Sequence, residues 1–332
     1  MPITTRWCAY VSDKPIAYGG QAVIEGVMFG GQHAQVTAVR RKDGNIELFE
    51  CKKKTSPTLN FLMKIPFLRG IVAIIAASAS GAKHLQFATE QYELDHADPD
   101  DPEQAPSSNQ SKWMMILGVA LVGILSFLFG KVLFTAVPAF LASVLFDRFV
   151  QNLAIQSLLE GVIKTLLLLS YLWLISQTPM IKRLFQYHGA EHKVITAFEH
   201  GEELTVTNVQ KYSTLHYRCG SSFIILSIIV GVIVYSFFSY DGVWDRIVTR
   251  LLLLPAVLGI SYELLRLTNA VRDVPVLTYL GYPGLWLQKL TTKEPDDTQV
   301  EVAIHAFVRM RELDAQEARQ HVKQASQLVH SS

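Results

Sequence analysis

Long apolar runs separated by polar segments dominate the pattern of the chain. A transmembrane helix needs roughly 20 mostly apolar residues to cross about 30 Å of hydrocarbon. Four segments approach or exceed this length: residues 113–146, 161–181, 221–239 and 247–267. Because Lys131 and Pro138 interrupt the first segment, we interpret it as one tilted or broken span. The pattern predicts a mainly α membrane protein with about four transmembrane helices.

A fifth apolar run, residues 71–82, is much shorter than the other four. Its length predicts an interfacial or re-entrant helix over residues 63–83 rather than a crossing. Basic loops stay in the cytoplasm, and the basic segments 40–69 and 182–218 are both inside when two spans separate them. Four crossings therefore leave both termini cytoplasmic, whereas a fifth would place one basic segment outside.

The N-terminal region and the segment that follows the short helix differ in character. Residues 1–62 are predicted to form a cytoplasmic region with a small β-structure, because 34–51 alternate in polarity around the hairpin turn Lys42-Asp43-Gly44-Asn45. Residues 84–112 are rich in acidic side chains and prolines, which is typical of a flexible, solvated linker.

The rest of the chain is predicted to contain a membrane bundle and a tail. The bundle covers residues 113–267 and includes a cytoplasmic excursion over 182–220. A cytoplasmic tail covers residues 268–332. Within the tail, an amphipathic helix is expected after the predicted cap Asp296-Asp297, since apolar positions such as Val302 and Phe307 recur among charges.

Composition narrows the class of protein and its partners. The 332 residues are 50% hydrophobic and 18% charged, with a mean hydropathy of +0.24, which is typical of a membrane protein rather than a soluble domain. The net charge of +1 gives no basis for nucleic-acid binding. We therefore expect the lipid bilayer, and other membrane proteins, as partners.

The cysteines and the first residues indicate a cytosolic face. Cys8, Cys51 and Cys219 form no CxxC pair, so we expect reduced thiols rather than a disulfide framework. Residues 1–18 contain no apolar run of signal-peptide length, and we expect no cleaved export signal.

The motif His188-Gly189-Ala190-Glu191-His192 carries the clearest candidate chemistry. On a helix, His188, Glu191 and His192 lie at i, i+3 and i+4, on one face. Two imidazoles at that spacing can bind one divalent metal ion, and the carboxylate beside them can bind the ion or deprotonate its water. The motif also satisfies the H-x-x-E-H pattern of some metallopeptidases. The alternative is a polar helix end whose histidines bind nothing.

A second motif, His216-Tyr217-Arg218-Cys219-Gly220, precedes the apolar run 221–239 and is expected at the same membrane face. His216 and Cys219 could supply nitrogen and sulfur ligands to the same ion, and such ligands favour zinc. The alternative is that Cys219 is simply a small buried apolar residue.

A third motif is the glycine-rich segment 19–31, in which Glu25 is the one charged residue. Paired glycines indicate unusual backbone angles or the close approach of another backbone. A buried carboxylate normally has a cation as its partner, so Glu25 is either a catalytic, site-lining residue or the partner of an arginine. The alternative is a purely structural role. The spacing of the glycines does not match a phosphate-binding loop.

Five segments together resemble one bacterial family. GGQAVIEGVMFGG (19–31), KIPFLRG (64–70), YHGAEHKVI (187–195), HYRCGSSF (216–223) and YPGLWLQKLTTKEPDD (282–297) are similar, in this order, to the YqhQ-type membrane proteins. The resemblance covers about residues 18–310. It implies a multi-pass inner-membrane protein, described as a predicted metal-dependent enzyme of unknown function, whose motifs contain the six candidate residues.

Two functions remain open. In the first, His188 and His192, with His216 or Cys219, hold a divalent ion in a hydrolase at the cytoplasmic membrane face, and Glu191 is the general base. In the second, the polar motifs fasten the cytoplasmic region to the bundle of a non-catalytic scaffold or assembly factor. A transporter is disfavoured, since no span contains several ionisable groups near its middle.

Overall fold

The computed structural model describes residues 18–53, 56–97, 129–130, 132–217 and 219–330, with side chains up to residue 320. Three of the predictions fall partly outside these ranges: the N-terminal segment 1–17, the later part of the acidic linker at 98–112, and the first half of the apolar segment 113–146. The described residues are mostly helical, with one small sheet near the N-terminus.

The regular elements follow one another in a simple order, with the strands first. The strands are β1 Gly19–Val23, β2 Gly26–Gly30, β3 Ala34–Arg40 and β4 Ile46–Lys52. The α-helices are α1 Pro57–Leu62, α2 Leu68–His96, α3 Val137–Phe146, α4 Leu153–Ile175, α5 Pro179–Glu199, α6 Val206–Gln210, α7 Ser221–Tyr235, α8 Val243–Leu252, α9 Leu254–Ala270, α10 Tyr282–Thr291 and α11 Asp297–His330. A π-helical turn, Val132–Ala136, precedes α3, and a 3-10 turn, Leu277–Gly281, precedes α10.

The four strands form an antiparallel sheet in sequential order, with β1 and β4 at its edges. The predicted hairpin is confirmed: β3 pairs with β4, and Gly44 takes the positive φ of +90° that the turn needs. The β1–β2 hairpin was not predicted. Its glycines lower the β-propensity of the segment, and β2 is buried on both faces, so the usual alternation of polarity is missing.

Helices cover both faces of the sheet. Helices α5 and α11 pack on one face, where Phe29 of β2 and Phe307 of α11 stack edge to face at 5.1 Å. Helix α2 packs on the other face, where His84 bonds Thr37 of β3 at 2.7 Å. The predicted amphipathic helix is confirmed, but the description of residues 268–332 as a tail is wrong: α11 supplies part of the main apolar core.

The prediction of a short helix at 63–83 followed by a flexible linker is also wrong in length. Helix α2 continues to His96 because its acidic half has partners on the sheet: Asp95 accepts two hydrogen bonds from Arg41, at 2.8 and 3.0 Å. Ala88 lies in an apolar cluster with Val23 and Val39. The polar composition of residues 84–96 therefore reflects a helix with one buried face.

The remaining helices form a bundle beside the sheet. Helix α7 packs against α4, α9 and α10. Helix α4 ends at Ile175, earlier than the predicted 181, because the next helix starts at Pro179, whose ring cannot continue a helix from the preceding turn. Helices α8 and α9 are bent by 51° at their junction, which precedes Pro255.

Among the described residues, two helices, α2 and α4, are long and apolar enough to cross a membrane, and a third crossing is available if α8 and α9 form one bent span. The predicted spans 161–181 and 247–267 correspond to α4 and to this pair. The predicted span 221–239 is a helix of only 15 residues, α7. Residues 132–146 form a short apolar helical stretch, and the earlier part of that predicted span lies outside the described residues.

The interior of the bundle contains ion pairs between residues that are far apart in the sequence. Arg250 of α8 donates to both carboxylate oxygens of Glu160 in α4, at 2.9 and 2.7 Å. One turn earlier, Arg246 donates to Asp147 at 2.8 Å. Both arginines are buried, and each carries a guanidinium over the ring of Tyr240. The carboxylates come from other helices, so sequence position alone did not reveal the pairs.

Candidate metal centre

Helix α5 presents the histidine motif to the interior. Pro179 occupies its first turn, where the absent N–H needs no partner, and the helix runs to Glu199. Gly189 allows another part of the chain to approach closely, because a Cβ atom there would collide with the carbonyl oxygen of Lys293. Lys293 also donates its backbone N–H to Phe185 at 2.9 Å. The end of α10 is therefore held directly against the motif.

Both histidines of the motif are oriented by backbone carbonyls. The Nδ1 of His188 bonds the carbonyl of Thr291 at 2.8 Å, and the Nδ1 of His192 bonds the carbonyl of Thr214 at 2.5 Å. A carbonyl only accepts, so each Nδ1 carries the proton and each Nε2 keeps a lone pair. The same arrangement fixes histidine ligands in metal sites. The rings lie 4.5 Å apart.

Cys219 completes a three-residue cluster. Its Sγ lies 3.2 Å from the Nε2 of His188, and one ligand atom from each of His188, His192 and Cys219 lies within 4.8 Å of the other two. The backbone N–H of Ser221, at the start of α7, points at the sulfur from 3.4 Å. A helix N-terminus stabilises a thiolate, which is the form of cysteine that binds metals.

His216 lies in the site but outside this cluster. Its ring is 5.7 Å from that of His192, and its backbone N–H is held by Gln288 at 2.8 Å. Its Nε2 is buried without a hydrogen bond from the described residues, 3.8 Å from a carboxylate oxygen of Glu199. Burial lowers the pKa of His216 to about 4. Of the two alternatives for a third ligand, the geometry therefore favours Cys219.

Glu191 is buried between α5 and β1. Burial raises the pKa of its carboxyl group, and the nearby His188, His216 and backbone N–H of Gly20 act in the opposite direction. Gly20 has to lack a side chain here, since a Cβ atom would lie 2.9 Å from Cδ of Glu191. A desolvated carboxylate with a raised pKa is a stronger base than an exposed one.

Glu25 is separate from the cluster. It occupies the tight turn between β1 and β2, with a positive φ of 52°, and its carboxylate pairs with Arg183 at 2.6 and 2.5 Å. It does not line the cavity described below. Of the two predicted roles, the structure places Glu25 as an arginine partner that fastens the β1–β2 turn to α5.

A cavity of about 320 Å³ opens beside the cluster. Its walls are strand β1 with Tyr18, the inner face of α5, and His216 together with residues 219–221. Sequence reasoning found the side chains but missed β1 and the two orienting residues, Thr214 and Thr291. Carbonyl acceptors leave no signal in a sequence; the paired glycines of β1 were the available signal for close backbone approach.

The protein is mainly helical, with a small antiparallel sheet, and it encloses a cluster of two histidines and one cysteine. The family described as "Protein of unknown function (DUF1385)" matches residues 65–313. The chain is also 56% identical over 301 residues to the "Uncharacterized protein YqhQ" of Bacillus subtilis (strain 168), which covers 91% of this chain and 94% of that protein. The chain therefore belongs to the DUF1385 family, as the resemblance to YqhQ-type proteins predicted. No solved structure matches it significantly.

Proposed function

We propose that this protein is a metal-dependent hydrolase that acts at the cytoplasmic face of a bacterial inner membrane. The observation that carries the proposal is the convergence of His188, His192 and Cys219, whose ligand atoms lie within 4.8 Å of one another. The histidine Nε2 atoms face this cluster because both Nδ1 atoms are already bonded. Packing alone does not require such an arrangement.

The ligand set supports a catalytic site and favours zinc. Two imidazole nitrogens and one thiolate suit Zn²⁺ better than the harder ions Mg²⁺ or Ca²⁺, which prefer oxygen ligands. Catalytic zinc sites typically have three protein ligands and leave the fourth position open. A bound ion would supply Lewis acidity and lower the pKa of a water at that position.

Glu191 is the proposed general base. It lines the same cavity as the three ligands and follows the first histidine by three residues on the same helix. Its carboxylate would accept a proton from the attacking water and return it to the leaving group. The Gly20 N–H would keep the carboxylate oriented toward the cavity, since it bonds the group without donating a charge.

The bundle supports the membrane location. Large apolar side chains are exposed along α4, among them Leu158, Leu166, Trp173 and Leu174. From Ser80 onward, α2 contacts the sheet: Ser80 bonds Gln35, and His84 bonds Thr37. Only the part of α2 before Ser80 is therefore available to the bilayer. Although α2 is long and apolar enough to span a membrane, we therefore propose that it enters the membrane without crossing it. Residues 1–62 and 268–332 then lie on the cytoplasmic side.

Metal content tests the proposal. Protein purified in mild detergent is expected to contain about one zinc ion per chain by elemental mass spectrometry. The double variant His188→Ala/His192→Ala and the variant Cys219→Ser should lose it. His200→Ala, an exposed histidine on the same helix, and Cys51→Ser are the matched controls and should retain it. Wild type without stoichiometric metal, or equal content in the double variant, would contradict the proposal.

The role of Glu191 distinguishes the enzyme from a scaffold. Glu191→Gln keeps the shape of the side chain and should retain metal while losing hydrolysis. In a non-catalytic scaffold, the same change would alter thermal stability or the recovery of partner membrane proteins, and no separable activity would be lost. The two outcomes are measured on one preparation, by metal content, melting temperature and turnover.

A further inference from the structure

Strand β1 has one edge in the sheet and one edge at the metal cluster. Among the described strands, β1 pairs only with β2. The hydrogen-bonded residue pairs of this ladder are Gly19 with Gly30, Gln21 with Met28 and Val23 with Gly26. The neighbouring β2–β3 ladder fixes this phase, since Gly31 donates its backbone N–H to Ala34 and Arg40 donates its backbone N–H to Glu25. In an antiparallel ladder the residues between bonded pairs point their backbone groups the other way. The N–H and C=O groups of Ala22 and the C=O of Gly20 therefore point to the open side, whereas the N–H of Gly20 on that side already bonds Glu191.

The open side of β1 is a wall of the catalytic cavity. Residues 19–22 line the same space as His188, His192 and Cys219. The cavity volume of about 320 Å³ is far more than the ~10–15 Å³ needed for one water. Space for a short stretch of chain therefore lies between β1 and the proposed metal ligands.

The sequence of β1 keeps its backbone accessible. A Cβ atom at Gly19 would meet nothing within 4 Å, whereas Gly20 lies against the side chain of Glu191. An extended peptide binds an exposed sheet edge through main-chain hydrogen bonds, and it needs the kind of access that Gly19 leaves. Glycine otherwise weakens a strand, so Gly19, whose Cβ position is open, favours an approach by another backbone.

The charge of the cavity disfavours an anionic headgroup. Among the described residues that line it, none is a lysine or an arginine, and Glu191 contributes a carboxylate. A phosphate or sulfate ester would have the metal ion alone to offset its charge, because phosphate sites usually rely on arginine, lysine or several free backbone N–H groups. A neutral amide bond has no such requirement.

We propose that the substrate is a polypeptide segment that binds in extended form along the open edge of β1, with its scissile carbonyl at the His188, His192 and Cys219 cluster. This inference rests on the proposed hydrolase function and specifies its substrate class. The reaction is peptide hydrolysis: water adds its oxygen to the carbonyl carbon, the C–N bond breaks, and one proton of the water passes through Glu191 to the leaving amine. Because α7 begins at Ser221, beside the cavity, the segment lies close to the bundle.

Proline at position 22 tests the strand pairing on the whole protein. Ala22 does not bond β2, so Ala22→Pro removes an open-edge donor without breaking the ladder. Leu48→Pro is the matched control, because it removes an open-edge donor from β4, at the other edge of the same sheet and outside the cavity lining. The probes are a tryptic digest of a soluble bacterial proteome, with new termini read by mass spectrometry, and vesicles of phosphatidylglycerol and phosphatidylethanolamine, with lipid products read in the same way.

The expected result is peptide cleavage whose kcat/KM falls at least about tenfold in Ala22→Pro and stays within about twofold in Leu48→Pro, with zinc content unchanged in both. Equal cleavage by Ala22→Pro would overturn the inference. If that variant loses its metal or its fold, wild type is assayed instead with versions of the best peptide that are N-methylated at one backbone amide each. Methylation at alternate amides near the cleaved bond should slow cleavage. Equal cleavage of all the methylated peptides would overturn the inference.

The peptide and lipid probes distinguish this inference from the proposed hydrolase function on which it rests. Lipid products without peptide products contradict the peptide substrate and leave the hydrolase in place. A zinc-loaded protein that cleaves neither probe also contradicts the peptide substrate. A protein that holds no stoichiometric zinc contradicts the proposed hydrolase itself.

Discussion

The sheet region and the helical bundle bury opposite kinds of side chain. In the sheet region, apolar residues such as Phe29, Phe307 and Met310 are completely buried, and ion pairs such as Arg309 with Glu50 lie outside. In the bundle, Arg246 and Arg250 are 0% and 1% exposed, whereas Phe237 and Trp244 are 80% and 77% exposed. One chain thus contains two packing arrangements, each suited to a different surrounding medium.

The contrast supports lipid around the bundle and water around the sheet. Apolar side chains face outward without cost where the solvent is hydrocarbon, and ionisable groups are then confined to the interior, where they pair. The candidate site lies where the two regions meet: His188 and His192 belong to α5, which packs on the sheet, and Cys219 immediately precedes α7 of the bundle. Metal ligation would join the two regions.

The largest expected effect comes from breaking an ion pair inside the bundle. Arg250→Met leaves Glu160 buried without its partner, and we expect the free energy of unfolding to fall by about 3–5 kcal/mol. Arg309→Met in the sheet region removes an exposed pair and should cost about 0.2–1 kcal/mol. Thermal unfolding in detergent measures both. Similar losses in the two variants would remove the distinction between the regions.

A compensating change sharpens the same test. The double variant Arg250→Met/Glu160→Leu removes both charges, so its loss should be clearly smaller than that of Arg250→Met alone, because no unpaired charge remains. Additive losses from the two substitutions would show that Arg250 and Glu160 do not stabilise each other.

A charge placed on an exposed apolar position should have a smaller but equally regional effect. Leu166 of α4 is 58% exposed and Val308 of α11 is 40% exposed. An aspartate near the centre of a membrane helix costs about 2.5–3.5 kcal/mol of insertion free energy, so Leu166→Asp should reduce the amount of carbonate-resistant protein in membranes. Val308→Asp meets water, and a cost within about 0.5 kcal/mol is expected. Equal membrane recovery of the two variants would contradict lipid contact at α4.

A further effect, confined to acidic pH, is the pH dependence of the metal-free protein. His216 has a folded pKa of about 4, below the ordinary value of about 6.5. Above pH 6.5, His216 is unprotonated in both the folded and the unfolded protein. Between about pH 6.5 and pH 4, only the unfolded protein protonates this histidine. The free energy of unfolding therefore decreases by about 1.4 kcal/mol for each pH unit in this range. Melting curves with chelator should show this slope, and His216→Gln should flatten it. An unchanged slope in the variant would contradict the buried neutral His216.

Local spacing was enough to predict the helical face of the site and the region of its third ligand. His188, Glu191 and His192 lie at helical intervals, and the apolar run after Cys219 predicted that the second motif lies at the same membrane face as the first. The choice between His216 and Cys219 was not predictable, since it depends on how Gln288, far along the chain, holds the backbone of His216.

Long-range pairing explains what the sequence did not reveal about the fold. The acidic residues of 84–96 indicated a linker because their partner, Arg41, is about fifty positions earlier. Arg250 lies near the start of the predicted span 247–267, and its pairing with Glu160 depends on how α8 packs against α4. A polar residue with a distant partner has the same local pattern as one that is solvated.

X-ray absorption at the zinc edge tests the central claim most directly, because it counts the atoms bound to the metal. For wild type we expect one sulfur atom about 2.3 Å from the zinc ion and imidazole nitrogens about 2.0–2.1 Å from it. Cys219→Ser, where any zinc remains, should lose the sulfur shell, and Cys51→Ser should keep it. A wild-type spectrum with oxygen and nitrogen neighbours only, or one that Cys219→Ser leaves unchanged, would contradict a metal centre at His188, His192 and Cys219.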